Sequence, residues 1–155
     1  MLIGLYSELA RQDIVKMREE IQLANLGSDD FSMKSFRTEV INSDQQHHKK
    51  ILSTPDFYSL STLRDLLFHV QEHRFTIPQI KNCLTELGLE FCGFEAESIV
   101  KQFKTSNVEL ENLFDLDKWN TFEQDSPNTF AGMYEFWCQK VLKTQDPPSR
   151  SIIIS

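Results

Sequence analysis

The sequence predicts an α/β fold in which short apolar strands alternate with amphipathic helices. Three stretches carry that prediction. A capped helix runs into a strand at FTIPQIKNCLTELGLEFCGF, Phe75 to Phe94. A strand-like opening, LIGLY, passes directly into a helical repeat. Near the other end MYEFWC, from Met133, alternates large apolar residues with others as a strand does.

Taken in order, Leu2 to Tyr6 form the first strand, and Ser7 is placed to cap the helix after it. Ala10, Ile14, Met17, Ile21 and Ala24 then repeat at three-four spacing, with Arg11, Lys16, Arg18, Glu19 and Glu20 outside the seam and Gly27 as the stop. Ser28-Asp29-Asp30 opens a second helix through Met33, Phe36 and Val40, which fades into a polar run, Asn42 to Lys50. That run, with His47-His48 before Lys49-Lys50, reads as a solvated surface connection. Pro55 extends its predecessor, and Ser61 is positioned to cap a helix from Thr62 to His73. At about 100° per residue, Leu63, Leu66, Leu67 and Val70 fall on one side of it, and Asp65, His69, Glu72 and His73 on the other.

The best specified helix is the next one. Thr76 and Gln79 make a capping box, Pro78 sits in the first turn, Phe75 and Ile80 occupy the staple positions, and Gly88 stands where a left-handed stop belongs. LEFCGF is a strand. Glu97 to Lys104 is a short helix with Ile99, Val100 and Phe103 inward, and Asp117 to Gln124 another, carrying Trp119 and Phe122. Pro127-Asn128 turns the chain into the Met133 strand, with Tyr134, Phe136 and Cys138 on one face. Residues 1–142 are expected to be one domain and 143–155 a disordered tail.

Composition narrows the function classes. With 155 residues, 40% of them hydrophobic, the chain is long enough for one proper core. Lys and Arg total 16 against 23 Asp and Glu, a net charge of −7, so the positive field that phosphate backbones require is missing and no nucleic-acid partner is expected. Cys83, Cys92 and Cys138 show no C-x-x-C spacing, and their odd number leaves no complete disulfide framework, which points to a reducing cytoplasm. Neither MLIGLY nor SIIIS is long enough to span a membrane.

Few motifs carry chemistry. His69-Val70-Gln71-Glu72-His73 spells H-x-x-E-H, the inverted zinc-hydrolase pattern, although the proline soon after leaves no continuing helix to bring a third acidic ligand. Asp65 and His69, one turn apart, read either as an oriented general base or as an ordinary surface hydrogen bond. Tyr6 ends the first strand, where open α/β sheets bind ligands. G-x-S-x-G, G-x-x-x-x-G-K-[ST] and G-x-G-x-x-G do not occur.

Together IGLYSELAR (Ile3 to Arg11), RDLLFHVQEHRFTIPQI (Arg64 to Ile80), LGLEFCGFE (Leu87 to Glu95), DLDKWNTFE (Asp115 to Glu123) and NTFAGMYEFWCQK (Asn128 to Lys140) resemble the C-terminal part of bacterial class I S-adenosylmethionine-dependent methyltransferases, of the type attached to tetratricopeptide repeats. The resemblance implies a partial Rossmann-like sheet. Leu2 to Tyr6 would be its fifth strand, Leu89 to Phe94 and Met133 to Gln139 a final antiparallel pair, and residues 7–74 a helical insertion over the strand ends. It implies His69 and Asp65 as proton acceptor, Arg64, Glu72 and His73 as substrate-binding, and Tyr6 beside the cofactor. S-adenosylmethionine is the cofactor of the intact family, but the glycine loop and ribose-binding acid that hold it would precede Met1, so none is expected to be bound by this chain alone. The methyl acceptor is not implied. An association through Leu2 to Tyr6, with a second copy or with a separate cofactor-binding half, is expected from the unpaired flank of half a sheet. A non-catalytic interaction module is the alternative.

Overall fold

A computed structural model describes residues 1–68 and 71–141. Strand-forming residues at the start give β1, Leu2–Ser7. The chain then runs through three helices, α1 (Gln12–Leu23), α2 (Asp30–Ile41) and α3 (Gln46–Ile51), a 3₁₀ turn at Pro55–Phe57 and a single turn α4, Leu60–Leu63. A wider π-type turn covers Arg64–Phe68. After it come β2 (Arg74–Phe75), α5 (Ile77–Glu86), β3 (Leu89–Phe94), α6 (Glu97–Ser106), α7 (Leu116–Asp125) and β4 (Tyr134–Lys140).

The four strands make one mixed sheet in the order β2-β1-β4-β3. β1 runs antiparallel to β4, with Leu2 opposite Trp137 and Leu5 opposite Tyr134, and β3 is antiparallel to β4. On its other side β1 meets β2, in parallel, only at Tyr6 and Ser7. Among the described residues, Leu2 to Leu5 therefore have no strand on that flank. The sheet also has one covered face. Tyr134, Phe136 and Cys138 point into a core with Ile80, Phe103 and Trp119, whereas Glu135, Trp137 and Gln139 on the reverse side are exposed.

A second core joins the helices between β1 and β2: Met17, Ile21, Met33, Phe36, Val40, Ile51, Phe57, Leu63 and Leu67 pack together. The three-four repeats of α1 and α2 supply its first half. No helix among the described residues is long and apolar enough to cross a membrane.

Local signals are realised where they are self-contained. Thr76 and Gln79 form the capping box, and Gly88 adopts φ +64° at the end of α5. Several expectations are corrected. Ser7 does not cap α1, whose N-cap is Arg11; its hydroxyl accepts from Ala10 N–H at 3.0 Å and so holds the turn before the helix. Asn25, not Gly27, is the left-handed residue that stops α1, at φ 50°. Asn25 N–H donates to Gln22 O and Leu26 N–H to Ile21 O, which satisfies the last carbonyls and returns Leu26 to the core.

The polar run Asn42 to Lys50 is a mostly exposed connection over residues 42–45, as expected, but its second half is helical. From Gln46 it enters α3, and His48 there is 2% exposed. The helix expected over Thr62 to His73 begins a little earlier, with Ser59 rather than Ser61 as its N-cap, and residues 71–73 lie outside any helix. Leaving the helix lets Arg74 and Phe75 pair with β1, so the shared polar face of Asp65, Glu72 and His73 does not form. His69 and the tail 143–155 lie outside the described residues.

Candidate functional site

Where β1 ends, its last residues and the helical segment border an open cavity of about 560 Å³. Tyr6 comes from β1, Arg11 from the turn that follows, Asp65 and Leu66 from the π-type turn, Glu72 from the extended segment before β2, and Gly132 with Met133 from the approach to β4. The turn carrying Arg11 is fixed at both ends. Arg11 N–H donates to Ser7 O at 3.2 Å, and Glu8 N–H to Phe75 O at 2.9 Å.

Glu72 organises the charges in this wall. Its Oε2 accepts from Arg11 Nη2 at 3.1 Å and from Arg18 Nη2 at 3.0 Å, and its side chain is 7% exposed. Arg18 also donates from Nε and Nη2 to Leu66 O, at 3.1 and 2.8 Å. That carbonyl belongs to the last residues of a helical segment, where intrahelical partners run out. Arg11 lies over the Tyr6 ring, 4.1 Å from its centroid, which adds a cation–π contact on the cavity side. Arg11 Nε and Glu72 Oε1 are buried without a hydrogen-bond partner, and Arg74 Nη1 stands 3.9 Å from that Oε1.

Tyr6, Asp65 and Glu72 line this one cavity. Arg64 does not line it; its guanidinium pairs with Asp30 at 3.2 Å on the outside. His73 is exposed and is not part of the lining. Arg11 and Arg18 were absent from the expected set, although they stand seven residues apart beside the apolar seam of α1, which is the spacing of one helix face.

Beneath the cavity a polar cluster closes the end of β1. Glu123, 2% exposed on α7, accepts from Ser7 Oγ at 2.6 Å and from Tyr134 Oη at 2.8 and 2.7 Å. Burial raises the Glu123 carboxyl above its ordinary range, against the lowering effect of the Ser7 and Tyr134 hydroxyls. Burial likewise pushes the Tyr134 phenol up, and Glu123 beside it adds to the rise. An acid whose folded pKa is raised contributes its full stability below the unfolded value of about 4.3 and loses it as pH rises through the folded value. Glu123→Gln is expected to remove that loss. In urea titrations from about pH 4 to about pH 8 the variant should gain on the wild type as pH rises, and a difference that is flat or of the opposite slope would refute the assignment.

A third cluster lies on the outer side of the helical segment. His47 Nε2 is 2.7 Å from Glu20 Oε1, and His48 Nε2 is 2.6 Å from Glu20 Oε2. Burial acts to raise the Glu20 carboxyl, but the two histidines outweigh it and hold it below the usual range. Among the described residues this is the only set of three or more His, Cys, Asp or Glu side chains close enough to share an ion.

No protein-family model matches the chain, and comparison with curated proteins finds no match.

Proposed function

We propose that this chain is the C-terminal, substrate-pocket portion of a class I S-adenosylmethionine-dependent methyltransferase, working with a cofactor-binding half outside these 155 residues. The observation that carries the reading is the sheet. β1, β3 and β4 lie together, the last two are antiparallel, and the cavity opens at the end of β1 where ligands of α/β sheets gather. The unpaired flank at Leu2 to Leu5 and the exposed sheet face with Trp137 support it further, because both are surfaces that a continuing sheet and its helices would cover.

The residues present do not fit the cofactor by themselves, since no glycine-rich loop is among them. Their part is the methyl acceptor. Asp65 with His69 is assigned the proton that the acceptor gives up, and Arg11, held by Glu72 in the cavity wall, its orientation. Arg64 and His73, placed off the cavity, receive no role. A second reading, a non-catalytic interaction module, draws on the same open flank and face. The H-x-x-E-H reading loses support because residues 71–73 are not helical and Glu72 is already engaged by two arginines.

Calorimetric titration with S-adenosylmethionine separates these. The expected result is no saturable binding to the chain alone and saturable binding, beyond that of the partner by itself, once the cofactor-binding half of a methyltransferase of this class is added. Stoichiometric binding to the chain alone would overturn the division of labour; no complex with any such half would leave the interaction module.

A further inference from the structure

We propose that Glu20, His47 and His48 form a binding site for a divalent first-row transition ion, zinc foremost, that ties α1 to α3. The argument starts from an oddity of local geometry. Neighbouring residues of a helix point about 100° apart, yet the rings of His47 and His48 converge to 4.4 Å between centroids, and each turns its Nε2 onto a different oxygen of one carboxylate. His48 is 2% exposed, and its Nδ1 is buried without a partner, so Glu20 is the sole polar group that holds this ring. Such convergence makes three donors of the right kind, two imidazole nitrogens and a carboxylate, all within 4.8 Å of one another.

Distances and charge both suit an ion. Zinc takes nitrogen and oxygen donors at about 2.0–2.2 Å, which sets tetrahedral donors about 3.3 Å apart. The present spacings of 2.7 and 2.6 Å are those of shared protons. Admitting the ion requires the carboxylate to withdraw and the two Nε2 atoms, which lie within 4.8 Å of each other, to close to that tetrahedral spacing, and Glu20 is free to move, its side chain being 32% exposed. As ligands, an ionised Glu20 and two neutral imidazoles carry one negative charge, and Lys50, on α3 with the histidines, is already paired with Asp13 at 2.6 Å. His47 and Asp13 border an open cavity of about 320 Å³, which gives solvent access to a fourth coordination position. Imidazole donors select zinc and its transition-metal neighbours over magnesium or calcium.

To bond the ion each Nε2 must be free of hydrogen, so each ring carries its hydrogen on Nδ1. At His48 the new Nδ1–H finds no acceptor. Missing outer hydrogen bonds of that kind cost ~10–100-fold in affinity, so this is a moderate site and not a tight structural one.

The site is distinct from the H-x-x-E-H sequence, and the test keeps the two apart. Full-length protein is titrated with zinc chloride by calorimetry and with cobalt(II) by visible absorption. One equivalent should bind, cobalt should give the ligand-field bands of a four- or five-coordinate ion, and the thermal midpoint should rise with zinc. His47→Gln, at a ring that is not needed for the core, and Glu20→Gln should each weaken zinc at least tenfold, while His73→Ala should leave it unchanged. Circular dichroism of the two variants establishes that they are folded. Absence of binding to the wild type, binding unaltered in both Glu20→Gln and His47→Gln, or its loss in His73→Ala would overturn the proposal.

Discussion

Replacing Glu72 by alanine should lower folding stability by about 3–5 kcal/mol, the cost of stranding buried charge when a partner is removed. Arg11 and Arg18 are both buried, and both spend an Nη2 donor on the single Oε2 of Glu72. Arg18 would keep its two bonds to Leu66 O, but Arg11 has no other side-chain acceptor, and its Nε is already unpaired. The sign is therefore set by the guanidinium groups left behind rather than by the carboxylate lost. Removing all three charges together, as Arg11→Met, Arg18→Met and Glu72→Leu, should recover most of the loss, because a well-packed apolar replacement of a buried ionic cluster is often neutral. Urea denaturation of the single and triple variants measures both. A single-variant loss below about 1 kcal/mol would mean that water reaches the arginines and that the cavity wall is not preorganised.

Trp119→Ala is the second large effect, with an expected loss of about 3–5 kcal/mol. Trp119 is fully buried, stacks on Phe103 at 3.7 Å between ring centroids, and lies edge-on to Phe94 at 4.8 Å. Its indole N–H donates to Leu113 O at 2.9 Å, so truncation opens a large cavity and orphans a carbonyl at once. Trp119→Phe should cost less, because the ring stack survives and only the hydrogen bond and part of the volume go. Thermal unfolding of the pair should show that order. Equal losses would make the carbonyl, and not the packing, the seat of the effect. This prediction bears on the site because α7, which carries Trp119, also carries Glu123 to the end of β1.

The parts of the fold that could be read from the sequence are those decided within about one turn or one strand. Thr76, Gln79 and Gly88 bound α5 by their own backbone chemistry, and the alternation at Tyr134, Phe136 and Cys138 has a single solution in a sheet with one buried face. The helix from Thr62 was misjudged at its far end because its apolar repeat continues in the sequence. What ends it is distant: Glu72 is drawn to Arg18 and Arg11, 54 and 61 residues earlier, and Arg74 pairs with Tyr6. Tertiary contacts overrode local periodicity there.

The candidate site divides the same way. Tyr6, Asp65 and Glu72 could be named from position and residue type, but the arginines that control Glu72 look like surface charges of α1 until their partners are in place. His47 and His48 looked solvated because α3 has only six residues, too few to display a period. The pairing of His48 with Ile51, three apart and both buried, was the available signal. Ser7, Glu123 and Tyr134 come from three separate elements, and no spacing in the sequence links them.

The central claim is that Leu2 to Leu5 mark the seam where the other half of a methyl-transferring sheet joins. Amide hydrogen exchange resolves it most directly. With the chain alone, the amides of Leu2 to Leu5 that point away from β4 should exchange quickly; on adding the cofactor-binding half they should become protected. Protection of those amides in the isolated monomer, or none when that half is bound, would contradict the account.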